Sequence, residues 1–142
     1  MKIYQAITFW LLFWSLISSC ENPSKSIEES DAPVLKIGKT IDEANNDIAG
    51  SSSFRLADKK FSYYLLNHVR FGVATLIFRI NRIESNGKRI LTSTDVNVDP
   101  DANVIYNTIP LSSLYIEYGK GKYLMQFLNG NNTIASAEFE LN

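Results

Sequence analysis

The chain has 142 residues, of which 45% are hydrophobic and 20% charged, with a formal net charge of −1. That length accommodates one domain with a tail, and that composition is globular rather than disordered. A near-neutral balance lacks the clustered basic surface of a nucleic-acid binder. One cysteine excludes an internal disulfide framework or a multi-cysteine zinc site, and one histidine excludes a histidine-rich metal centre.

The first twenty residues stand apart. They open with one cation, Lys2, and contain no acid; Ala6 to Ile17 is a run of about twelve mostly apolar residues. A spanning helix needs roughly twenty, because each residue rises about 1.5 Å through a hydrocarbon core of about 30 Å. Twelve is too short to span and fits the apolar region of a signal peptide. Both tryptophans, Trp10 and Trp14, lie here. The segment ends Ile17-Ser18-Ser19-Cys20. It resembles the lipobox of bacterial lipoproteins, an aliphatic residue and two small residues before the cysteine, although Leu is commoner than Ile at the first place. The resemblance covers these twenty residues only. It implies diacylglyceryl transfer to the Cys20 sulfur, cleavage after Ser19 and acylation, typically with palmitate, of the new amino group. Cys20 is then a lipidation site and not a redox residue. Each buried methylene of an acyl chain contributes about 0.8 kcal/mol, so several chains hold a protein stably where one holds it marginally.

Glu21 to Ala32 is polar and acidic and nearly free of apolar residues. It cannot bury enough surface to order itself and reads as a tether. Glu21, rather than Asp, follows the cysteine, which for this family favours the outer membrane and leaves a periplasm-facing or a surface-exposed domain open. Removing residues 1–19 takes away Lys2 and no acid, and the net charge becomes −2. The expected organisation is a signal peptide at 1–19, a lipidated Cys20 with its tether at 20–32, and one domain at 33–142.

That domain reads as strands. Period-two runs bounded by turn residues recur, and helical periodicity is nearly absent. Val34 to Ile37 reads as a short edge strand, and Gly38 to Ser53 as a long loop with one helical turn at Thr40 to Asn45. Phe61 to Leu66 is apolar on both faces, as a central strand is. Thr75 to Ile83 alternates cleanly, with Leu76, Phe78 and Ile80 on one face. Asn86-Gly87 predicts a type I′ hairpin turn with positive φ at both residues, and Arg89 to Thr94 returns. Asp95 to Asn103 reads as a polar crossing and Val104 to Ile109 as a strand. Leu111 to Tyr118 reads as a corner helix capped by Ser112 or Ser113 and stopped by Gly119. Tyr123 to Leu128 and Ile134 to Leu141 close the chain as strands around a second hairpin turn at Asn129 to Asn132. About seven short strands in this length predict an all-β fold, an antiparallel β-sandwich, with a small β-barrel as the main alternative.

Gly121-Lys122-Tyr123 sharpens this. Residues 111–142 resemble the last two strands of immunoglobulin-like domains, in which a small residue, any residue and a Tyr open the penultimate strand. The resemblance implies that the Tyr123 hydroxyl bonds back to nearby backbone and fixes a corner. Met125 stands where antibody domains have a Cys, and Phe78 where they have the core Trp, so packing alone would hold such a domain together.

Few residues suggest chemistry. Asp95, Asn97, Asp99, Asp101 and Asn103 place oxygen ligands at alternate positions, as a Ca²⁺ loop needs. Yet Pro100 stands at the position of the turn glycine and Tyr106 at that of the closing glutamate. The same alternation arises on a solvent-facing edge strand that turns Val96 and Val98 inward. His68 lies in a loop with no nucleophilic elbow near it. Glu138 and Glu140 share a strand face, where both are more readily solvated than catalytic. Gly119-Lys120-Gly121-Lys122 lacks the spacing of a phosphate loop. Tyr63, Tyr64, Tyr115 and Tyr118, with Tyr106, form a tyrosine set suited to interfaces, because tyrosine supplies large area with few rotors. Tyr64 and Leu66 facing outward together would mark a binding face.

No cofactor and no enzymatic activity are expected. The reading is a lipid-anchored envelope protein, held at the membrane and binding another protein as an accessory or surface module, with no nucleic-acid partner. The alternative is a glycan- or small-ligand-binding lipoprotein, calcium-assisted through Asp95 to Asn103.

Overall fold

The computed structural model describes residues 31–42, 44, 45 and 47–142. The expected signal peptide, Cys20 and nearly all of the expected tether lie outside the described residues. The elements are β1 (Val34–Asp42), β2 (Asp47–Gly50), β3 (Ser53–Phe54), a 3-10 turn (Leu56–Asp58), β4 (Lys60–Leu66), β5 (Thr75–Glu84), β6 (Gly87–Asn97), β7 (Val104–Pro110), α1 (Leu111–Tyr118), β8 (Gly121–Asn129) and β9 (Asn132–Leu141). Two sheets form, ordered β2-β1-β4-β7 and β3-β9-β8-β5-β6. Every pairing is antiparallel except β3 with β9, which is parallel. The fold is all-β, a two-sheet sandwich.

Strand alternation builds the core. Leu35, Ile37, Phe61, Tyr63 and Leu65 face inward from the first sheet. Leu76, Ile80, Tyr123, Met125, Phe127, Phe139 and Leu141 answer from the second. An aromatic seam joins them: Phe54 against Phe61 at 4.9 Å, Phe61 against Phe139 at 4.8 Å, and Tyr63 against Phe78 at 5.8 Å and Phe127 at 5.6 Å. Each tilted or stacked pair adds about 0.5–1.5 kcal/mol beyond the area that it buries. Leu111 and Leu114 of α1 close one end of the core.

Four local readings need correction. The Gly38 to Ser53 stretch is neither a loop nor a helical turn. β1 runs through to Asp42 and pairs with β2, with a register shift between Gly38 and Ile41, so β1 lies inside its sheet and β2 is the edge. The Asp42 carboxylate closes the turn by accepting the N–H groups of Ala44 and Asn45 and the Asn45 side-chain amide. Secondly, the β5–β6 hairpin pairs Glu84 with Gly87, which places the turn at Ser85-Asn86, one residue early. Gly87 carries φ 133° and Asn86 has no positive φ, so this is not the type I′ turn at Asn86-Gly87. The β8–β9 hairpin has Gly130 at φ 58° as the first of its two loop residues, the pattern of a type II′ turn. Thirdly, β6 continues to Asn97, which shortens the crossing. Finally, neither Ser112 nor Ser113 caps α1: Pro110 holds the N-cap position without a side-chain bond.

The registers define two ends. Val34, Leu66 and Val104 align at the end where the chain enters, with the loops after β4 and β6. The β1–β2 turn, Lys60, Pro110, α1 and the β5–β6 turn lie at the opposite end.

Candidate functional site

The outer face of the first sheet carries a depression of about 290 Å³ lined by Lys39, Thr40, Ile41, Lys60, Ser62, Tyr106, Asn107 and Thr108. Its floor follows from register. Ser62 pairs with Thr108 and Tyr64 with Tyr106, and this parity turns all four away from the core. The Ser62 and Thr108 hydroxyls are 2.9 Å apart, and Ser62 is 1% exposed. That pair shares one hydrogen bond but holds two hydroxyl protons, so one donor remains for another acceptor.

Gly38 shapes the neighbouring wall. It pairs with Ser62, and a Cβ there would lie 2.2 Å from the Ala49 carbonyl oxygen and 2.8 Å from the Ile48 side chain. Only glycine lets β2 come this close, and Ile48 is thereby buried on the outer face. The register shift that follows sets Lys39, Thr40 and Ile41 beside the hydroxyl pair.

The cations are held unequally. Lys39 Nζ is 2.8 Å from Asp58 Oδ1, and this hydrogen bond, with the Arg55 N–H, lowers the Asp58 pKa. Lys60 makes no ion pair among the described residues. Beside it Lys59 has φ 65° and ψ −39°, a sparsely populated backbone for a residue with a side chain, which costs about 1–3 kcal/mol. Two bonds hold Lys59 there, from its N–H to the Leu56 carbonyl and from the Leu111 N–H to its own carbonyl. Tyr106 is 58% exposed at the rim. The described lining therefore has two ammonium groups, several hydroxyls and no carboxylate.

The sheet edges form the other candidate surface. β2 and β3 are four and two residues long. β7 is blunted, because Asn107 Oδ1 accepts the Thr108 N–H at 2.8 Å and Pro110 has no N–H to offer. β6 is different: eleven residues without proline, with Ile90 56% exposed and one bulge at Leu91 where the pairing skips between Ile80 and Asn81. It is the longest open edge among the described residues.

The tyrosines read from the sequence are dispersed. Tyr63 is in the core, and its burial raises its pKa against a smaller opposing effect from Asn107. Tyr64 does face outward with Leu66 but is only 5% exposed. The Tyr115 hydroxyl donates to the Phe54 and Asn142 carbonyls and ties α1 to the chain end. Tyr118 has its pKa pushed up to about 12, first by burial and then by Glu117. Tyr63, Tyr115 and Tyr118 thus serve packing and latching. Tyr106, the ring that is open, was marked in the sequence only as one of a set.

The Tyr123 hydroxyl donates to the carbonyls of Tyr118, at 2.7 Å, and Gly119, at 2.8 Å. Its buried ring stacks on Phe139 at 5.3 Å, with the Arg82 guanidinium 5.8 Å from its centroid. Asp95, Asn97, Asp99 and Asp101 do not converge. Asp95 and Asn97 belong to β6, Asp99 accepts the Asp101 N–H, and Asp101 pairs with Arg70 at 2.8 Å. Among the described residues no three acidic, histidine or cysteine side chains gather as metal ligands. His68 is exposed in the loop after β4, and Glu138 and Glu140 lie along β9 with no ion pair among the described residues. No protein family and no curated protein matches this chain.

Proposed function

We propose that this chain is a lipid-anchored cell-envelope module, non-enzymatic, that binds another protein along the open edge of β6. The carrying observation is that edge. Among the described residues three of the four sheet edges are short or blunted, while β6 offers an eleven-residue edge, paired with β5 on one side only, with Ile90 exposed. A partner strand added there gains main-chain hydrogen bonds, and alternate side chains set its specificity.

The anchor is Cys20, fourteen residues before β1. Fourteen residues reach about 45 Å when extended. β1 begins beside Leu66, level with Val104 on β7, and a tether of this reach leaves the β6 edge accessible to a partner. Outer membrane is the favoured address for Glu21 after the cysteine.

The domain itself is immunoglobulin-like in this reading. Its support is the corner bond of Tyr123 and the strand order. β1-β4-β7 run in the order A-B-E of such domains and β5-β8-β9 in the order C-F-G, with α1 at the corner before the tyrosine strand.

The test is a photo-crosslinking residue at Ile90 of the membrane-anchored chain, with one at the exposed Ala49 of β2, an edge of the other sheet, as control. A discrete adduct from Ile90 that Thr92→Pro abolishes agrees with the proposal. The same adducts from both positions, or none from Ile90, contradict it.

A further inference from the structure

We propose that the depression on the first sheet binds a pyranose ring carrying a carboxylate, a sugar acid of the uronate class. The inference is separate from the β6 edge and from the lipid on Cys20.

Three observations select that chemistry. The first is charge. Of the two lining cations Lys39 is already held by Asp58, whereas Lys60 has no ion pair among the described residues, and no carboxylate lines the depression itself. An unopposed ammonium among hydroxyl donors is arranged for an anionic oxygen, because charge-assisted bonds are roughly twice as strong as neutral ones. The second is the floor. The Ser62–Thr108 pair leaves one hydroxyl proton undonated, and Thr40 adds another hydroxyl beside it. Sugar hydroxyls both donate and accept, so they fit such a floor, whereas a bare carboxylate uses only its donors. The third is the rim. Tyr106 stands 58% exposed, and a ring there can cover the C–H face of a pyranose.

An extended acidic peptide fits less well. It would take its main-chain bonds from the adjoining edge of β7, where Asn107 already holds the Thr108 N–H and Pro110 has none. About 290 Å³ admits a sugar ring rather than a protein loop with its neighbours.

The experiment is a titration of the ¹⁵N-labelled full chain, in a polyoxyethylene detergent, with glucuronate, glucose, acetate and triglutamate. For a ligand of this size an ordinary binding efficiency gives a Kd of about 1 mM. Saturable shifts at the amides of Thr40, Ser62, Tyr106 and Thr108 are expected with glucuronate. Glucose and acetate should each bind at least about tenfold more weakly, as the loss of one charged bond or of the ring contacts requires. Lys60→Gln should weaken glucuronate about tenfold while Lys60→Arg retains it, and Tyr106→Ala should weaken it with the far-side amides unmoved. Acetate equal to glucuronate overturns the sugar, tighter triglutamate overturns it in favour of peptide, and no saturation by about 50 mM overturns the site.

Discussion

Removing one oxygen from Tyr123 isolates the corner that joins α1 to β8. Tyr123→Phe keeps the buried ring, its stacking on Phe139 and its place beneath Arg82, so no cavity opens. What goes is one hydroxyl proton shared between the Tyr118 and Gly119 carbonyls. The Tyr118 carbonyl keeps a second donor, Arg82 Nη1 at 3.3 Å, so its loss is partial. Among the described residues the Gly119 carbonyl, in its half-buried turn, is given no other donor. A typical net hydrogen bond is worth about 1 kcal/mol, and an orphaned carbonyl adds up to about as much again, so the expected cost is about 1–2 kcal/mol. For a domain of this size that lowers Tm by about 5–10 °C. Urea unfolding of the full chain, followed by far-ultraviolet circular dichroism, reads it directly. The midpoint should fall with an unchanged slope, because the buried surface is unchanged. An unchanged midpoint refutes the corner as a stabilising contact, and a changed slope refutes the premise that the ring stays packed.

Other perturbations probe separate parts of the molecule. Gly38→Ala sets a methyl group 2.2 Å from the Ala49 carbonyl oxygen; it should destabilise by about 1–3 kcal/mol and speed hydrogen exchange at β2 before β4, and equal exchange would contradict the close approach. The pKa values of Asp42, Asp47 and Asp58 are lowered, chiefly by side-chain hydrogen bonds from Asn45, Lys36 and Lys39 respectively. Their folded values lie below the unfolded 3.8, so the stability they add is present above 3.8 and lost as pH falls below it. Protection of the β2 amides, taken relative to intrinsic exchange at each pH, should therefore fall between about pH 4 and pH 2 while that of β8 does not. Added Ca²⁺ should leave Tm unchanged; a rise abolished by Asp99→Ala would restore the calcium reading.

How much of this was legible in the sequence varied with the local signal. β5 was clear because Leu76, Phe78 and Ile80 alternate without interruption, and β4 because its two apolar faces fit a strand covered on both sides. The β1–β2 hairpin was hidden. Gly38 and the register shift after it break the period-two pattern, and the turn is closed by the Asp42 side chain rather than by a glycine. The Ser85-Asn86 turn was misplaced because Asn-Gly is so strong a local signal, whereas the Glu84–Gly87 pairing decides where the strands part. The depression was not legible at all. It depends on Ser62 meeting Thr108 across strands 46 residues apart, and on the register shift in β1 that sets Lys39, Thr40 and Ile41 beside them. Composition could name the tyrosines, but only register separates the open ring of Tyr106 from the buried rings of Tyr63 and Tyr123.

The anchor is the premise on which the proposed function turns, and intact-mass spectrometry of the protein purified from membranes tests it most directly. The account predicts a chain that begins at Cys20 and carries the mass of a diacylglyceryl group and an N-terminal acyl chain. A chain that still begins at Met1, or one that begins at Cys20 without lipid, would contradict it.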